Sequence, residues 1–269
     1  MSGFSAEWLA LREPYDRRAR NAKVLADVAA TFSSLPAMTV VDLACGTGAT
    51  RRAIASHLPL PQRWRLVDND LSLLARADIA PLMGSCTATT MPLDLVRDLE
   101  AALDGAVDLV TTTALLDLVS MEWLDRLAVE IAARRLPLYA ALSYDGRVTL
   151  APAETLDEAV VAAVNRHQTT DKGFGPALGP RAAQTLIARF RALGYAVSDG
   201  PSDWNFGPDD REIQRQLLAG WVGAARAIGG IGDRALADWL EKRNANIAAG
   251  RSVIRVGHTD IFARPMATR

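Results

Sequence analysis

The segment Thr39-Val40-Val41-Asp42-Leu43-Ala44-Cys45-Gly46-Thr47-Gly48-Ala49-Thr50 constrains the fold more than any other part of the chain. Val40 to Leu43 reads as a short buried strand that ends in an acid. It breaks into a turn of small residues, which opens a helix over about 47–57. Without bulky side chains, the backbone amides of such a turn can approach a ligand closely. A domain of alternating strands and helices, with a ligand at this turn, is the first expectation.

Two adenosine cofactors compete for the turn. A dinucleotide fingerprint needs a third glycine three residues after the second. Gly46 and Gly48 supply the first two, but Arg51 stands at the third position, where it would crowd helix–strand packing. Asp42-Leu43-Ala44-Cys45-Gly46-Thr47-Gly48 instead resembles the first motif of the class I S-adenosylmethionine-dependent methyltransferases, in the variant whose first glycine is alanine. A Gly-rich turn of any α/β domain is the plainer alternative. The next strand, Trp64-Arg65-Leu66-Val67-Asp68, places a second acid about 20 positions after Gly46, the spacing of a βαβ unit that offers a carboxylate to ribose hydroxyls. Asp70 then reads as the N-cap of a helix carrying Leu71 and Leu74.

Further strands are expected near 85–90, 107–113, 138–143 (stopped by Asp145-Gly146), 195–198 and 253–262. Helices are expected over 5–32, 95–103, 121–134, 156–166, 181–193, 209–227 and 233–249. This alternation predicts a parallel sheet covered on both faces. The layout resembles the same family closely over 38–145 and loosely over 181–262. The resemblance implies a Rossmann-like class I methyltransferase fold, a seven-stranded, mostly parallel sheet with its last strand antiparallel. The expected organisation is an N-terminal helical segment, 1–36, and a cofactor-binding core of 37–150, 181–200 and 251–269. Helical insertions, 151–180 and 201–250, leave the carboxyl ends of strands, where open sheets bind ligands. They are expected to cap the site, the alternative being that they lengthen the core.

Composition excludes several classes. With 30 Lys+Arg against 31 Asp+Glu, the chain has no basic field for a phosphate backbone, so nucleic acid is not expected. No uncharged apolar run is long enough to span a membrane, and residues 1–14 lack the pattern of a signal peptide. Two cysteines, Cys45 in the turn and Cys86 in a strand, fit a reducing cytoplasm better than a disulfide framework. No Cys/His spacing for zinc, no H-E-x-x-H and no G-x-S-x-G is present, so no metal is expected.

The resemblance carries over a set of cofactor residues. The amides of Ala44, Cys45, Gly46 and Gly48 would face the aminoacyl and ribose parts, and Asp42 would anchor the ammonium. Asp68 would hold the ribose and Asn69 would lie beside the adenine. Asp94 would meet the adenine amino group, with the Leu95 amide next to it; alternatively Asp94 caps the helix that follows. Thr113, ending strand 4, would lie beneath the methionine portion. Arg20 is a candidate partner for the cofactor carboxylate, or else a solvated arginine.

The catalytic candidates are Asp117, His167 and Tyr144. Asp117 interrupts an apolar run and is a base, a substrate-amine partner or a helix cap. His167 lies in the first insertion. Tyr144 and Trp204 are aromatic walls or ordinary packing residues. His258 is expected with its ring against a neighbouring strand. The loop 173–180 is a lid hinge or a rigid connector. Methyl transfer needs chiefly alignment and exclusion of water, with a base where the acceptor is a hydroxyl.

The expected activity is therefore S-adenosylmethionine-dependent O- or N-methylation of a small molecule, like bacterial small-molecule members of the family, by a cytoplasmic monomer or homodimer. Thr113-Ala114-Leu115-Leu116-Asp117 stands where base amino-methyltransferases carry Asn/Asp-Pro-Pro-Tyr/Phe, which argues against a nucleobase. The alternatives are a regulator that binds S-adenosylmethionine or S-adenosylhomocysteine without turnover and, third, a nicotinamide-dependent oxidoreductase.

Overall fold

The computed structural model describes residues 4–77, 79, 80, 82 and 85–266; the outermost residues of the expected terminal segments, 1–3 and 267–269, lie outside them. In chain order the elements are α1 (Ala6–Ala19), α2 (Ala22–Phe32), β1 (Met38–Leu43), α3 (Ala49–Ile54), β2 (Gln62–Asp68), α4 (Leu71–Leu74), β3 (Cys86–Pro92), α5 (Leu99–Ala102), β4 (Leu109–Thr113) and α6 (Met121–Ala133). These are followed by β5 (Leu138–Ala151), α7 (Asp157–His167), α8 (Ala182–Ala192), β6 (Tyr195–Pro201), β7 (Trp204–Phe206), α9 (Arg211–Ile228), α10 (Asp233–Ala248) and β8 (Val253–Pro265).

β1 and β4 are buried along nearly their whole length because parallel central strands are covered on both faces. The sheet order is β3-β2-β1-β4-β5-β8-β6, with β8 antiparallel to both of its neighbours. These are the expected seven strands, with the last antiparallel. The short β7 is an addition, paired with the first part of β8. One face of the sheet packs on α6 and α8 through Leu124, Leu127, Ile131, Leu186 and Phe190. The other packs on α2 and α3 through Val24, Val28, Phe32 and Ile54.

β5 does not stop at Asp145-Gly146. It runs on to Ala151, with register shifts against β8 between Ala140 and Ser143 and between Tyr144 and Val148. Gly146, at φ +84°, lies in the second shift. The two residues act as a bulge, which bends a strand without ending its pairing. β5, β8 and β7 thus extend as an antiparallel ribbon beyond the core sheet.

The ribbon is the floor of a third apolar cluster. Leu217, Leu218 and Trp221 of α9, Leu236 and Trp239 of α10, and Val160 and Val164 of α7 pack there against Tyr144, Ile254 and Val256. The apolar faces of α9 and α10 are thus spent inside the chain. Trp8, Leu11 and Tyr15 of α1 join this cluster, so α1 spans from the ribbon to the turn after β1.

Candidate functional site

The turn after β1 is held in an uncommon conformation. Ala44, Gly46 and Gly48 have φ of +52°, +54° and +79°. These left-handed values cost a residue with a Cβ about 1 kcal/mol, which is why glycine suits the position of Ala44. The Cys45 amide donates to the Val67 carbonyl (2.9 Å) and the Gly48 amide to the Cys45 carbonyl (2.8 Å). The helix begins at Ala49, two residues after the expected start, because Gly48 serves as its N-cap. A Cβ on Gly46 would lie 3.1 Å from Leu9 Cδ1, so α1 passes directly over the turn. A clip holds it there: Arg52 binds both carboxylate oxygens of Glu13 (2.8 and 2.7 Å) and the Thr47 carbonyl (2.6 Å).

Asp68 closes the other side. Its Oδ2 accepts from the Gly46 amide (2.8 Å) and its Oδ1 from the Asp70 amide (3.0 Å). The carboxylate is half-buried and Asn69 beside it is exposed. Asp70 is the N-cap of α4, as expected.

Asp42 is wholly buried at the end of β1. Thr111 donates to its Oδ1 (2.8 Å), while Oδ2 has no partner. Burial pushes its carboxyl up to about 7, against the hydroxyls of Thr111 and Thr50 and the Arg20 charge, which pull it down. Arg20 is not a solvated arginine. Between α1 and α2, it turns inward, donates to Thr113 Oγ1 (3.1 Å) and Tyr139 Oη (3.3 Å), and leaves a buried Nε without a partner. Thr113 Oγ1 also meets Thr50 Oγ1 at 3.0 Å. The segment is pinned by Asp260, which accepts from the Asn21 amide, Tyr139 Oη and the Leu142 amide. Asp42 and Arg20 attract one another electrostatically but form no ion pair, and the charge of Arg20 is also met by Asp260 and Asp16. Each keeps one buried polar atom without a partner, which suits a ligand that offers a group to both.

Asp94 is half-buried. Its Oδ1 caps a turn by accepting from the Val96 amide (3.0 Å), and Arg97 pairs with it at 3.2 Å. The expected helix at 95–103 is reduced to α5 because 95–97 is a turn. The Leu95 side chain enters the core, and its carbonyl accepts from Trp123 Nε1 (2.7 Å).

The catalytic candidates are Asp117 after the end of β4, Tyr144 midway along β5 and His167 at the end of α7. Asp117, in the short 3-10 turn Leu116–Leu118, does not cap α6; Ser120 does, accepting from the Trp123 amide. Asp117 is 5% exposed and its Oδ1 has no partner. Burial pushes it up to about 6, opposed by backbone donors, Arg12 and Lys172. Tyr144 Oη donates to Asn165 Oδ1 (2.7 Å), and burial raises its phenol, so it stays protonated. His167, at the end of α7, stands 3.2 Å from Lys172 Nζ through Nδ1.

The loop that carries Lys172 is tied down at several points. Asp171 Oδ1 accepts from the amides of Gly173 and Gly175, Leu178 N–H donates to the Val119 carbonyl, and Phe174 packs edge-on against Trp123. The sequence reading missed Lys172, because a lone lysine in a Gly/Pro loop reads as a solvated one.

His258 and Trp204 are packing residues. The His258 ring lies 4.8 Å from Trp204, and its Nδ1 faces the Val256 carbonyl at 3.1 Å, which fixes the proton on Nδ1. Burial, then Arg12, pulls it down to about 4. Trp204 donates to Asp16, which also binds Arg12 (2.8 Å).

A cavity of about 430 Å³ opens between α8 and the ends of β5 and β6, lined by Asp145, Arg147, Gln184 and Thr259 among others; none of the cofactor or catalytic candidates lines it. Among the described residues no group of acids, histidines and cysteines could hold a metal ion, both cysteines are free and buried, and no helix is long and apolar enough to cross a membrane.

No protein-family model and no curated protein matches the chain. Solved structures do. The YcgJ protein from Bacillus subtilis has 14% identity and a TM-score of 0.51, over 92% of this chain and 100% of that one. A candidate type II methyltransferase from Anaeromyxobacter dehalogenans has 15% identity and a TM-score of 0.50, over 93% and 98%. A methyltransferase from Thiobacillus denitrificans, in complex with S-adenosylhomocysteine, has 14% identity and a TM-score of 0.47, over 98% and 99%. With the strand order above, the first two likenesses show the fold: the Rossmann-like fold of the class I methyltransferases.

Proposed function

We propose that this protein is an S-adenosylmethionine-dependent methyltransferase acting on a small-molecule acceptor. The observation that carries the reading is a pair of buried atoms without partners, one on Asp42 near the end of β1 and one on Arg20 between α1 and α2. Asp42 Oδ2 and Arg20 Nε are each without a partner, and they match the ammonium and carboxylate of an aminoacyl group. The left-handed turn over Gly46 and the Asp68 carboxylate suit the adenosine part. For a dinucleotide the fit is worse. Arg51, in place of the third glycine, is wholly buried and donates to the carbonyls of Cys86 (2.6 Å) and Ala80 (2.7 Å).

When bound, the cofactor supplies a methyl carbon on a sulfonium sulfur, and transfer to an acceptor lone pair returns the carbon–sulfur electron pair to sulfur as a thioether. Asp42, Arg20, Thr113 and Asp68 would bind and orient it. Asp94 and Asn69 would border the adenine, with Leu95 alongside. α1 would exclude water, which matters most in a displacement that needs alignment more than acid–base power. Asp117 would accept the proton of a hydroxyl or amine acceptor, as a buried carboxyl raised toward neutrality can. Tyr144 would act as a hydrogen-bonding wall and His167 through Lys172. The insertions 151–180 and 201–250 would enclose the acceptor, in a cytoplasmic protein that works as a monomer or homodimer.

The test is binding of S-adenosylhomocysteine by the wild type and by Arg20→Met, with 5′-methylthioadenosine as control. Loss for the first ligand and not for the second supports the aminoacyl assignment. Equal affinities of both proteins for S-adenosylhomocysteine would refute it.

A further inference from the structure

The groups around Asp117 constrain the acceptor. Three cations or potential cations approach this end of the sheet. Arg12 is committed, since it pairs with Asp16 at 2.8 Å and its guanidinium lies 5.3 Å from the Trp204 ring centroid. His167 is half-buried, and desolvation followed by Lys172 lowers it, so it is neutral near pH 7. Lys172 is lowered by desolvation and raised by the charges of Asp117 and Asp171, which act on it from beyond ion-pair distance. Its Nζ bonds to His167 Nδ1 (3.2 Å) and Thr170 Oγ1 (2.9 Å), both neutral, and forms no ion pair with a carboxylate among the described residues.

Asp117 and Lys172 act on each other electrostatically but do not meet. Asp117 Oδ1 is buried and without a partner. The lysine is one of only three in the chain, the others being Lys23 and Lys242. The loop that presents it is fixed on the segment next to Asp117: Leu178 N–H donates to the Val119 carbonyl, and Ser120 bridges Ala177. A half-buried lysine that hydrogen-bonds only neutral groups, on a loop tied to the segment next to Asp117, is arranged for an anion, because an ammonium already held in place loses little further freedom on binding.

We infer that the acceptor is an acidic small molecule, a hydroxy or amino acid whose carboxylate pairs with Lys172 while its nucleophilic hydroxyl or amine donates to Asp117. This rests on the methyltransferase reading. The two side chains then select a bifunctional ligand. An amide or ester of the same skeleton leaves Lys172 without its partner. A charge-assisted hydrogen bond of this kind contributes about 1.5–3 kcal/mol, or about tenfold or more in affinity.

The small number of lysines makes the test direct. After reductive ¹³C-methylation, Lys23, Lys172 and Lys242 each give a signal, and Lys172→Arg identifies that of Lys172. The probes are glycine, 3-hydroxybutyrate, salicylate and 4-hydroxybenzoate, each against its amide, with S-adenosylhomocysteine present. The expected result is saturable movement of the Lys172 signal by at least one acid and not by its amide. Lys172→Met should weaken that acid about tenfold or more, while Lys172→Arg retains binding. The inference is overturned if no acid moves the signal, if amides bind as well as acids, or if Lys172→Met leaves the affinity unchanged. Calorimetric binding of S-adenosylhomocysteine alone, measured on the same unmodified protein, fails only if the underlying reading is wrong.

Discussion

The Gly46 amide donates to the Asp68 carboxylate at 2.8 Å, tying the turn after β1 to the end of β2. The acid expected to hold a ribose therefore also shapes the turn beneath it. Asp68→Ala is predicted to lose S-adenosylhomocysteine binding and to lower stability by about 1–3 kcal/mol, because two backbone donors lose their acceptor. Asp68→Asn keeps an acceptor for one of them and should lose affinity with less destabilisation. Calorimetry and urea unfolding on both variants separate the two roles.

Asp42 and Asp117 give the protein a pH signature. Each would ionise near 3.8 in the unfolded chain, whereas burial holds Asp42 near 7 and Asp117 near 6 in the folded protein. Between these values the native state binds more protons than the unfolded state, so stability falls as pH rises. Their contribution is full below about pH 4 and is lost by about pH 6 for Asp117 and pH 7 for Asp42. Asp42→Asn, which keeps an acceptor for Thr111, should make the ligand-free protein more stable than wild type at pH 8 and flatten the slope from pH 4 to 7. The same variant should bind S-adenosylhomocysteine poorly. Denaturant unfolding across pH measures the first effect; an unchanged slope would contradict the placement of Asp42.

α1 acts as a cover. With Leu9 over Gly46 and Glu13 clipped to Arg52, exchange of a ligand bound at the turn is predicted to require α1 to lift. Glu13→Ala should speed dissociation of bound S-adenosylhomocysteine in stopped flow while costing about 1 kcal/mol or less in stability, the usual worth of a partly exposed ion pair. An unchanged dissociation rate would mean that the ligand leaves by another route.

Arg51 shows how a local rule and a tertiary one trade places. Where a dinucleotide fold needs a small residue, this chain buries a guanidinium that satisfies the carbonyls of Cys86 and Ala80. Arg51→Ala is predicted to cost about 3 kcal/mol or more in urea unfolding, since it strands those acceptors. Arg51→Gly should not create affinity for NAD.

The alternation of strands and helices and the acids that end β1 and β2 are legible in the sequence because they follow from short-range pattern: apolar runs, small-residue turns and spacing; the antiparallel last strand is legible only through the family resemblance. What was not legible depends on partners far along the chain. Asp145-Gly146 carries the local signature of a stop, yet β8 pairs beyond it and converts it to a bulge. Arg20 looks solvated beside Arg17 and Arg18, but the tie of the Asn21 amide to Asp260 turns it inward. Asp117 has the residue type of a cap for the helix that starts near Ser120, but Ser120 itself accepts from the Trp123 amide. Lys172 acquires meaning only once its loop is laid against Ser120 and Phe174 against Trp123.

The most direct test of the cofactor assignment is calorimetric titration of the unmodified protein with S-adenosylhomocysteine, with NAD titrated in parallel. The account predicts saturable one-to-one binding of S-adenosylhomocysteine and none of NAD. Binding of NAD instead, or of neither ligand, would contradict it.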